Sequence, residues 1–210
     1  MDPHKLGAEL KRCGFSLSRD QIRGLQIYLE LLLKWNKVIN LVGPSDWKLI
    51  LHDLILDSFH LSTFLSRTIT DSKGLKTLDL GAGAGLPGIP LRLVWKAGSY
   101  YLVESRTKRA VFMNQALAAM DIENTHVING RVQQLDKSIL PAGLIISRAF
   151  MPGPKLLPLA KELLAIKGML IILSKDKSEA ENPAGFTLID EMHYRVNNKD
   201  RYFLALESNI

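Results

Sequence analysis

The chain has 210 residues, of which 27 are basic and 21 acidic, giving a formal charge of +6. Its one cysteine, Cys13, excludes an internal disulfide framework and a cysteine-based zinc site, and fits a reducing compartment. The apolar run Met169 to Leu173 is far short of the roughly 20 residues that cross a bilayer, so no membrane partner is expected, the cytoplasm is the expected location, and the basic excess favours a polyanion such as nucleic acid.

Up to residue 73 the pattern is helical. His4 to Arg12 predicts a short helix closed by Gly14. Ser18 stands three residues before Gln21, the spacing of a capping box. Apolar residues then recur with helical period at Ile22, Leu25, Tyr28, Leu29, Leu32, Leu33 and Trp35. Gly43 and Pro44 punctuate a break between Asn40 and Ser45, and a further helix is expected from Asp46 to Leu65. From residue 74 strands and helices alternate. Leu75 to Leu80, Tyr100 to Glu104, His126 to Asn129, Leu144 to Ser147 and Met169 to Leu173 read as strands; Thr107 to Met120 and Pro154 to Ala165 read as helices. Such alternation implies right-handed crossovers and a parallel sheet covered on both faces. Phe186 to Val196 and Arg201 to Leu206, joined by Asn197-Asn198-Lys199-Asp200, read as a terminal antiparallel hairpin. The expected organisation is a helical extension over residues 1–73 and an α/β unit over 74–210, its sheet mostly parallel with one reversed strand.

The most specific local feature is Asp79-Leu80-Gly81-Ala82-Gly83-Ala84-Gly85-Leu86-Pro87-Gly88, between the first strand and a helix. Glycines there permit a tight turn and close approach of backbone to a ligand. The next strand ends at Glu104, 104 − 85 = 19 residues past the last glycine of the GxGxG, where an acid can hold the two hydroxyls of a ribose. The bland alternative for Glu104 is a solvated strand end. Both a nicotinamide cofactor and S-adenosylmethionine (SAM) carry such a ribose. Asp79, poised to face a cationic amino-acid moiety, and the terminal hairpin tilt the choice to SAM. No Gly-x-x-x-x-Gly-Lys-Ser/Thr run is present, which excludes a P-loop.

Asp79 to Gly88 read whole, with Leu102-Val103-Glu104-Ser105, Lys108-Arg109, Gly130-Arg131-Val132 and Ile146-Ser147-Arg148-Ala149-Phe150, resembles the RsmG (GidB) methyltransferases. Trp35-Asn36, Asn40-Leu41 and Asp57-Ser58 extend the resemblance upstream. It implies a Rossmann-like class I SAM-dependent methyltransferase with a seven-stranded sheet, acting on N7 of a guanine in the decoding-region loop of 16S rRNA. The implied partner is 16S rRNA or the small ribosomal subunit, with no metal, and a monomer is expected. The resemblance implies cofactor contacts at Gly81, Gly83, Leu86, Glu104, Val132, Gln133 and Arg148, beside Asp79 and Gly85 of the same loop. It implies substrate-side roles for Asn40, Arg131, Arg148 and Lys175. The family's helix histidine falls at Leu54, with His52 two residues earlier and facing differently; Asp57 and His60, sharing a helical face, are candidate substitutes. Gln133 stands where the family has an acid, and Lys175 is followed by Asp176 where the family has glycine.

The residues suit that chemistry. Methylation at pyrimidine carbon-5 needs a cysteine nucleophile, and Cys13 lies in the N-terminal helix. Methylation of an exocyclic amine commonly uses an Asn/Asp-Pro-Pro-aromatic run where this chain has Ser147-Arg148-Ala149-Phe150. Guanine N7 carries a lone pair and no proton, so alignment replaces a general base. Arg148 or Arg131 could hold the guanine O6 edge or a phosphate, or serve as surface phosphate guides or ion-pair partners. Phe150 reads as a base-stacking ring or a core residue, Trp35 as core, and Lys108 and Arg109 as solvated helix residues or RNA-phosphate contacts. His4, His126 and His193 lack metal-ligand spacing. Two other classes remain open at this level: an NAD-dependent oxidoreductase, and a non-catalytic RNA-binding assembly factor.

Overall fold

The computed structural model describes residues 1–177 and 183–209. Helix α1 (Pro3–Arg12) starts with Pro in its first turn and the Asp2 carboxylate accepting the His4 N–H at 2.8 Å. Helix α2 (Arg19–Ile39) opens on the predicted capping box: the Gln21 N–H donates to Ser18 Oγ at 3.2 Å and the Ser18 N–H to Gln21 Oε1 at 2.8 Å. It ends at Asn40, whose φ of 49° is the left-handed cap conformation. The expected helix from Asp46 is present but not regular. Asp46 caps α3 (Trp47–Ile50), a π-helical turn follows over Leu51–Ile55, and α4 (Leu56–Thr68) completes it. A π-turn widens the ring by one residue and so rotates the side chains that follow; sequence periodicity does not announce it.

Seven strands follow: β1 (Lys76–Leu80), β2 (Ser99–Glu104), β3 (Thr125–Asn129), β4 (Ala142–Arg148), β5 (Leu164–Ser174), β6 (Phe186–Val196) and β7 (Lys199–Ser208). Helices α5 (Gly88–Val94), α6 (Thr107–Met120) and α7 (Gly153–Leu163) supply the crossovers. The strand order is β3-β2-β1-β4-β5-β7-β6, with β7 antiparallel to both its neighbours and the pairings among β1 to β5 parallel. This is the mostly parallel seven-stranded sheet with one reversed strand that the alternation implied.

Two boundaries move. Helix α7 ends at Leu163 rather than Ala165, because Leu164 already pairs with Ala142; Lys167, at φ 57°, and Gly168 then bulge the strand before Met169 resumes the ladder opposite Leu144. The hairpin turn is tighter than expected. Val196 pairs with Lys199, so Asn197 and Asn198 alone turn the chain, both at positive φ (50° and 58°), as a two-residue primed turn requires.

Alternation along the strands splits the core into two layers. Leu78, Leu80, Ile145, Leu170 and Leu204 face α7. Ile146, Ile171 and Phe203 face the other way and join one cluster with Leu6, Leu25 and Phe64 of the N-terminal helices. Residues 1–73 therefore share a hydrophobic core with the sheet. Three polar ties reinforce that docking. Tyr28 Oη donates to the Ala84 carbonyl at 2.8 Å, Gln21 Nε2 to the Leu93 carbonyl at 3.0 Å, and Trp35 Nε1 to Gln115 Oε1 at 2.8 Å. Trp35 also packs on Phe112, the core role read for it.

Candidate active site

The carboxyl ends of β1, β2 and β4 meet where the sheet order reverses, the usual ligand position in an open α/β sheet. The glycine loop crosses this edge. The N–H groups of Gly81 and Ala82 both donate to the Val103 carbonyl, at 2.9 and 3.1 Å, which folds the loop back over β2. Gly81 has φ 69°, and a Cβ there would stand 2.4 Å from the Phe150 ring, so glycine is required on both counts.

Beside the loop lies a cleft of about 380 Å³ whose walls include Gly81, Glu104, Arg109, Arg131, Val132 and Phe150. Gln133 lines it too. Glu104 is not a solvated strand end: it is 5% exposed. Its Oε2 accepts the Gly83 N–H at 3.0 Å and its Oε1 the Arg106 N–H at 2.8 Å, with Arg109 Nη1 3.8 Å away. A carboxylate offers about four lone-pair sites. Two are used by the backbone, and two remain for a pair of ribose hydroxyls. Arg131, exposed, precedes the short 3₁₀ turn of Val132 and Gln133 and has no carboxylate partner among the described residues. Phe150 closes over Gly81 from the cleft wall, a position between core and surface. Lys108 is exposed on α6, whereas Arg109 turns inward beside Glu104.

Asp79 departs from expectation. It lines neither this cleft nor the next, and is 1% exposed. Its Oδ2 accepts the Tyr100 hydroxyl at 3.0 Å, and Gly88 gives it a backbone N–H. Burial pushes its carboxyl up to about 7 against the lowering effect of those hydrogen bonds. A Cβ on Gly88 would stand 2.6 Å from that same Oδ2, so a glycine is needed for the approach. Asp79 therefore fastens the start of α5 to β2 beneath the loop, rather than facing a cationic ligand. Arg92 sits below, fully buried, with the Thr125 hydroxyl and the carbonyls of Trp95, Ala97 and Gly98 as acceptors.

A second cleft opens at the ends of β4 and β5, lined by Asp57, Arg148, Lys175, Tyr194, Arg201 and Tyr202. Ala149, at φ 52°, lines both clefts and forms the partition between them. Arg148 ends β4 with its side chain 20% exposed. Its Nη2 pairs with Asp57 Oδ2 at 3.0 Å and its Nη1 donates to the Leu54 carbonyl at 3.0 Å. Leu54, the position of the family's histidine, thus contributes backbone. Asp57 is 3% exposed, and its Oδ1 accepts the Tyr194 hydroxyl at 2.8 Å, with Arg201 Nε 3.8 Å away. Lys175 is exposed at the rim, and the Asp176 N–H turns back to Ser174 Oγ at 2.9 Å, which shapes the loop where the family has glycine. His60 packs at a tilt against the Tyr194 ring at 4.4 Å and edge-on against Phe15 at 4.9 Å; burial lowers its pKa.

The other expected residues lie as follows. Gly83 and Leu86 line a shallow groove with Leu41, Val42 and Arg148, whereas Gly85 packs its backbone against Ile89. Asn40, expected on the substrate side, is exposed and lines none of these clefts; it supplies the left-handed cap of α2 that turns Leu41 and Val42 toward the groove. His52 Nε2 bonds Glu9 Oε1 at 2.9 Å and its Nδ1 lies 3.8 Å from Cys13 Sγ. The ligand atoms of Glu9, Cys13 and His52 fall within 4.8 Å of one another. Arg12 pairs with Glu9 Oε2 at 2.8 Å, so both carboxylate oxygens are engaged and the group ties α1 to the π-turn. Reading by sequence missed Tyr194 and Arg201. Their only signal is alternation along a hairpin, which fixes a face but not a partner.

The family described as rRNA small subunit methyltransferase G matches residues 21–199. A ribosomal RNA small subunit methyltransferase G from Lawsonia intracellularis is 44% identical over 196 residues, covering 92% of this chain and 90% of its own. The protein of that name from Nitratidesulfovibrio vulgaris is 42% identical, covering 93% and 89%. Among solved structures, a magnesium protoporphyrin IX methyltransferase from Synechocystis with bound SAM has a TM-score of 0.61 at 12% identity, covering 86% of this chain and 97% of its own. An O-methyltransferase from Bacillus cereus in complex with SAH has a TM-score of 0.61 at 15% identity, covering 86% and 90%. At such identities these two show the Rossmann-like methyltransferase fold and nothing finer.

Proposed function

Because the chain belongs to the rRNA small subunit methyltransferase G family, we propose that it transfers a methyl group from SAM to N7 of a guanine in 16S rRNA, within the decoding-region loop. The observation that carries this reading is the pair of clefts sharing Ala149, one built around a buried Glu104 and the other around Arg148 and Lys175. SAM, when bound, supplies a methyl group activated by a sulfonium. Glu104 offers its two free lone-pair sites to ribose hydroxyls, and Val132 and Gln133 frame the far wall. Gly81 and Gly83 let the loop backbone approach the cofactor. Ala149 separates cofactor from acceptor by one residue of backbone.

The acceptor cleft carries three cations, Arg148, Lys175 and Arg201, against two aspartates, with Tyr194 and Tyr202 as its rings. Of its two carboxylates, Asp57 is already engaged by Arg148 and Tyr194, and Asp176 lies at the rim beside Lys175. That fits N7, where attack needs alignment and no general base. Arg148 and Lys175 suit the guanine edge or its phosphate. Arg131 extends the cationic rim. Residues 1–73 act as a helical extension on the SAM-binding unit over 74–210. The substrate, 16S rRNA or the small subunit, places the reaction in the cytoplasm, and the chain acts as a monomer. Among the described residues no helix is long and apolar enough to cross a membrane.

The test is methyl transfer from labelled SAM to small-subunit RNA, naked and in subunits, from a strain lacking the modification, followed by mapping. One methyl at N7 of one guanine is expected. Incorporation at another atom, or none with either substrate, would reject the reading.

A further inference from the structure

Arg148 lines the acceptor cleft and the shallow groove beside the glycine loop, not the Glu104 cleft, and its guanidinium is held at two points. One is the Leu54 carbonyl, a fixed piece of backbone. The other is Asp57, a side chain that can rotate. Asp57 has two cations within reach: Arg148 Nη2 at 3.0 Å from Oδ2, and Arg201 Nε at 3.8 Å from Oδ1. Two arginines competing for one buried carboxylate do not by themselves define its orientation. The Tyr194 hydroxyl does, by donating to Oδ1 at 2.8 Å. With Oδ1 occupied, Oδ2 is left for Arg148.

We propose that Tyr194, on the C-terminal hairpin, is a positioning residue for the transfer: its hydroxyl fixes the Asp57 carboxylate so that Arg148 stays aimed at the acceptor cleft. The inference rests on the functional reading above and adds to it a residue 137 positions from its partner along the chain. The surroundings support it. The Tyr194 ring is wedged between His60 at 4.4 Å and Phe203 at 4.8 Å, so the hydroxyl has little freedom to leave. Burial and the Asp57 charge both raise the Tyr194 pKa, so the group stays a neutral donor at working pH. The hairpin itself is pinned: Arg67 on α4 makes two hydrogen bonds of 2.9 Å to Asp190 on β6, and Thr68 Oγ1 adds a third at 3.2 Å. The strand that carries Tyr194 is thereby locked to the helix that carries Asp57.

Tyr194→Phe tests this, because it removes the oxygen and keeps the ring packing. The loss of a hydrogen bond to a charged group predicts a fall in kcat of about tenfold or more. SAM affinity should be unchanged, since Tyr194 lines the acceptor cleft and not the Glu104 cleft. In an Asp57→Asn background the same substitution should have no further effect, because the two act as one unit. A second readout does not need methyl transfer. Restricted rotation of the Arg148 guanidinium, seen as separated Nη signals by ¹⁵N NMR and assigned with Arg148→Lys, should be lost in Tyr194→Phe and in Asp57→Asn alike. If those signals persist in Tyr194→Phe, the positioning role is wrong whatever the activity. If Tyr194→Phe still lowers kcat in the Asp57→Asn background, the hydroxyl acts on substrate directly and the proposal is also overturned. If the NMR result holds while the wild type methylates no small-subunit RNA, the functional reading fails and the clamp on Arg148 stands.

Discussion

Glu104 separates cofactor binding from loop stability, and two substitutions resolve the two roles. In Glu104→Ala the Gly83 and Arg106 N–H groups lose their acceptors, at 3.0 and 2.8 Å. Arg106 lies at the surface, where water can replace the carboxylate, whereas Gly83 is half-buried within the loop. An orphaned buried donor costs about 1–3 kcal/mol, so for the half-buried Gly83 N–H the expected loss of folding stability lies at or below about 1 kcal/mol. The effect on SAM is separate. A charged hydrogen-bonding group contributes about 1.5–3 kcal/mol, which is about a ten- to a hundred-and-fifty-fold rise in Kd. Glu104→Gln keeps one oxygen for the Gly83 N–H, removes the charge and turns its NH2 toward the exposed Arg106 N–H, so it should lie near the lower end for SAM and cost less stability than Glu104→Ala. Calorimetric titration of SAM and urea unfolding of both variants give the two numbers. Unchanged SAM affinity in Glu104→Ala would show that the carboxylate only shapes the loop. Equal losses of affinity and stability across both variants would show that binding is lost through the fold.

Two further outcomes follow from the buried groups. Asp79 is raised from 3.8 to about 7, so the folded chain holds a proton there that the unfolded chain releases. Its contribution to stability is complete below pH 4 and is lost as pH rises to about 7; Asp79→Asn should therefore show a shallower fall in Tm between pH 5 and 8 than the wild type, and parallel curves would refute the assignment. Arg148→Lys keeps the charge but cannot reach Asp57 and the Leu54 carbonyl together, so kcat should fall at least about tenfold with SAM affinity retained; near-normal turnover would reduce Arg148 to a point charge.

The cofactor side was largely legible because its determinants are local. Asp79 to Gly88 lie within ten residues, the glycines report positive φ directly, and Glu104 falls at a strand end that the alternation of elements locates. Even so, Asp79 was misplaced. Its type and position suit a ligand contact, but the direction of its side chain follows strand parity. Leu78 and Leu80 face α7, so Asp79 points to the opposite layer, where Tyr100 one strand away meets it. The same parity, applied to β1 alone, would have turned it inward.

The acceptor side was less legible because its contacts join distant segments. Asp57 from the helix after the π-turn, Arg148 from β4, and Tyr194 and Arg201 from the C-terminal hairpin converge only once the reversed strand β7 sets the hairpin beside β5. The π-turn adds a rotation that helical periodicity does not carry, and it presents the Leu54 backbone where the family has a histidine. A carboxylate in sequence reads as a base. Here the distances make it a brace: Oδ1 holds the Tyr194 hydroxyl and Oδ2 the Arg148 guanidinium. That arrangement suits an acceptor atom without a proton. It also brings the hairpin, far from the glycine loop in sequence, to the carboxylate that holds Arg148.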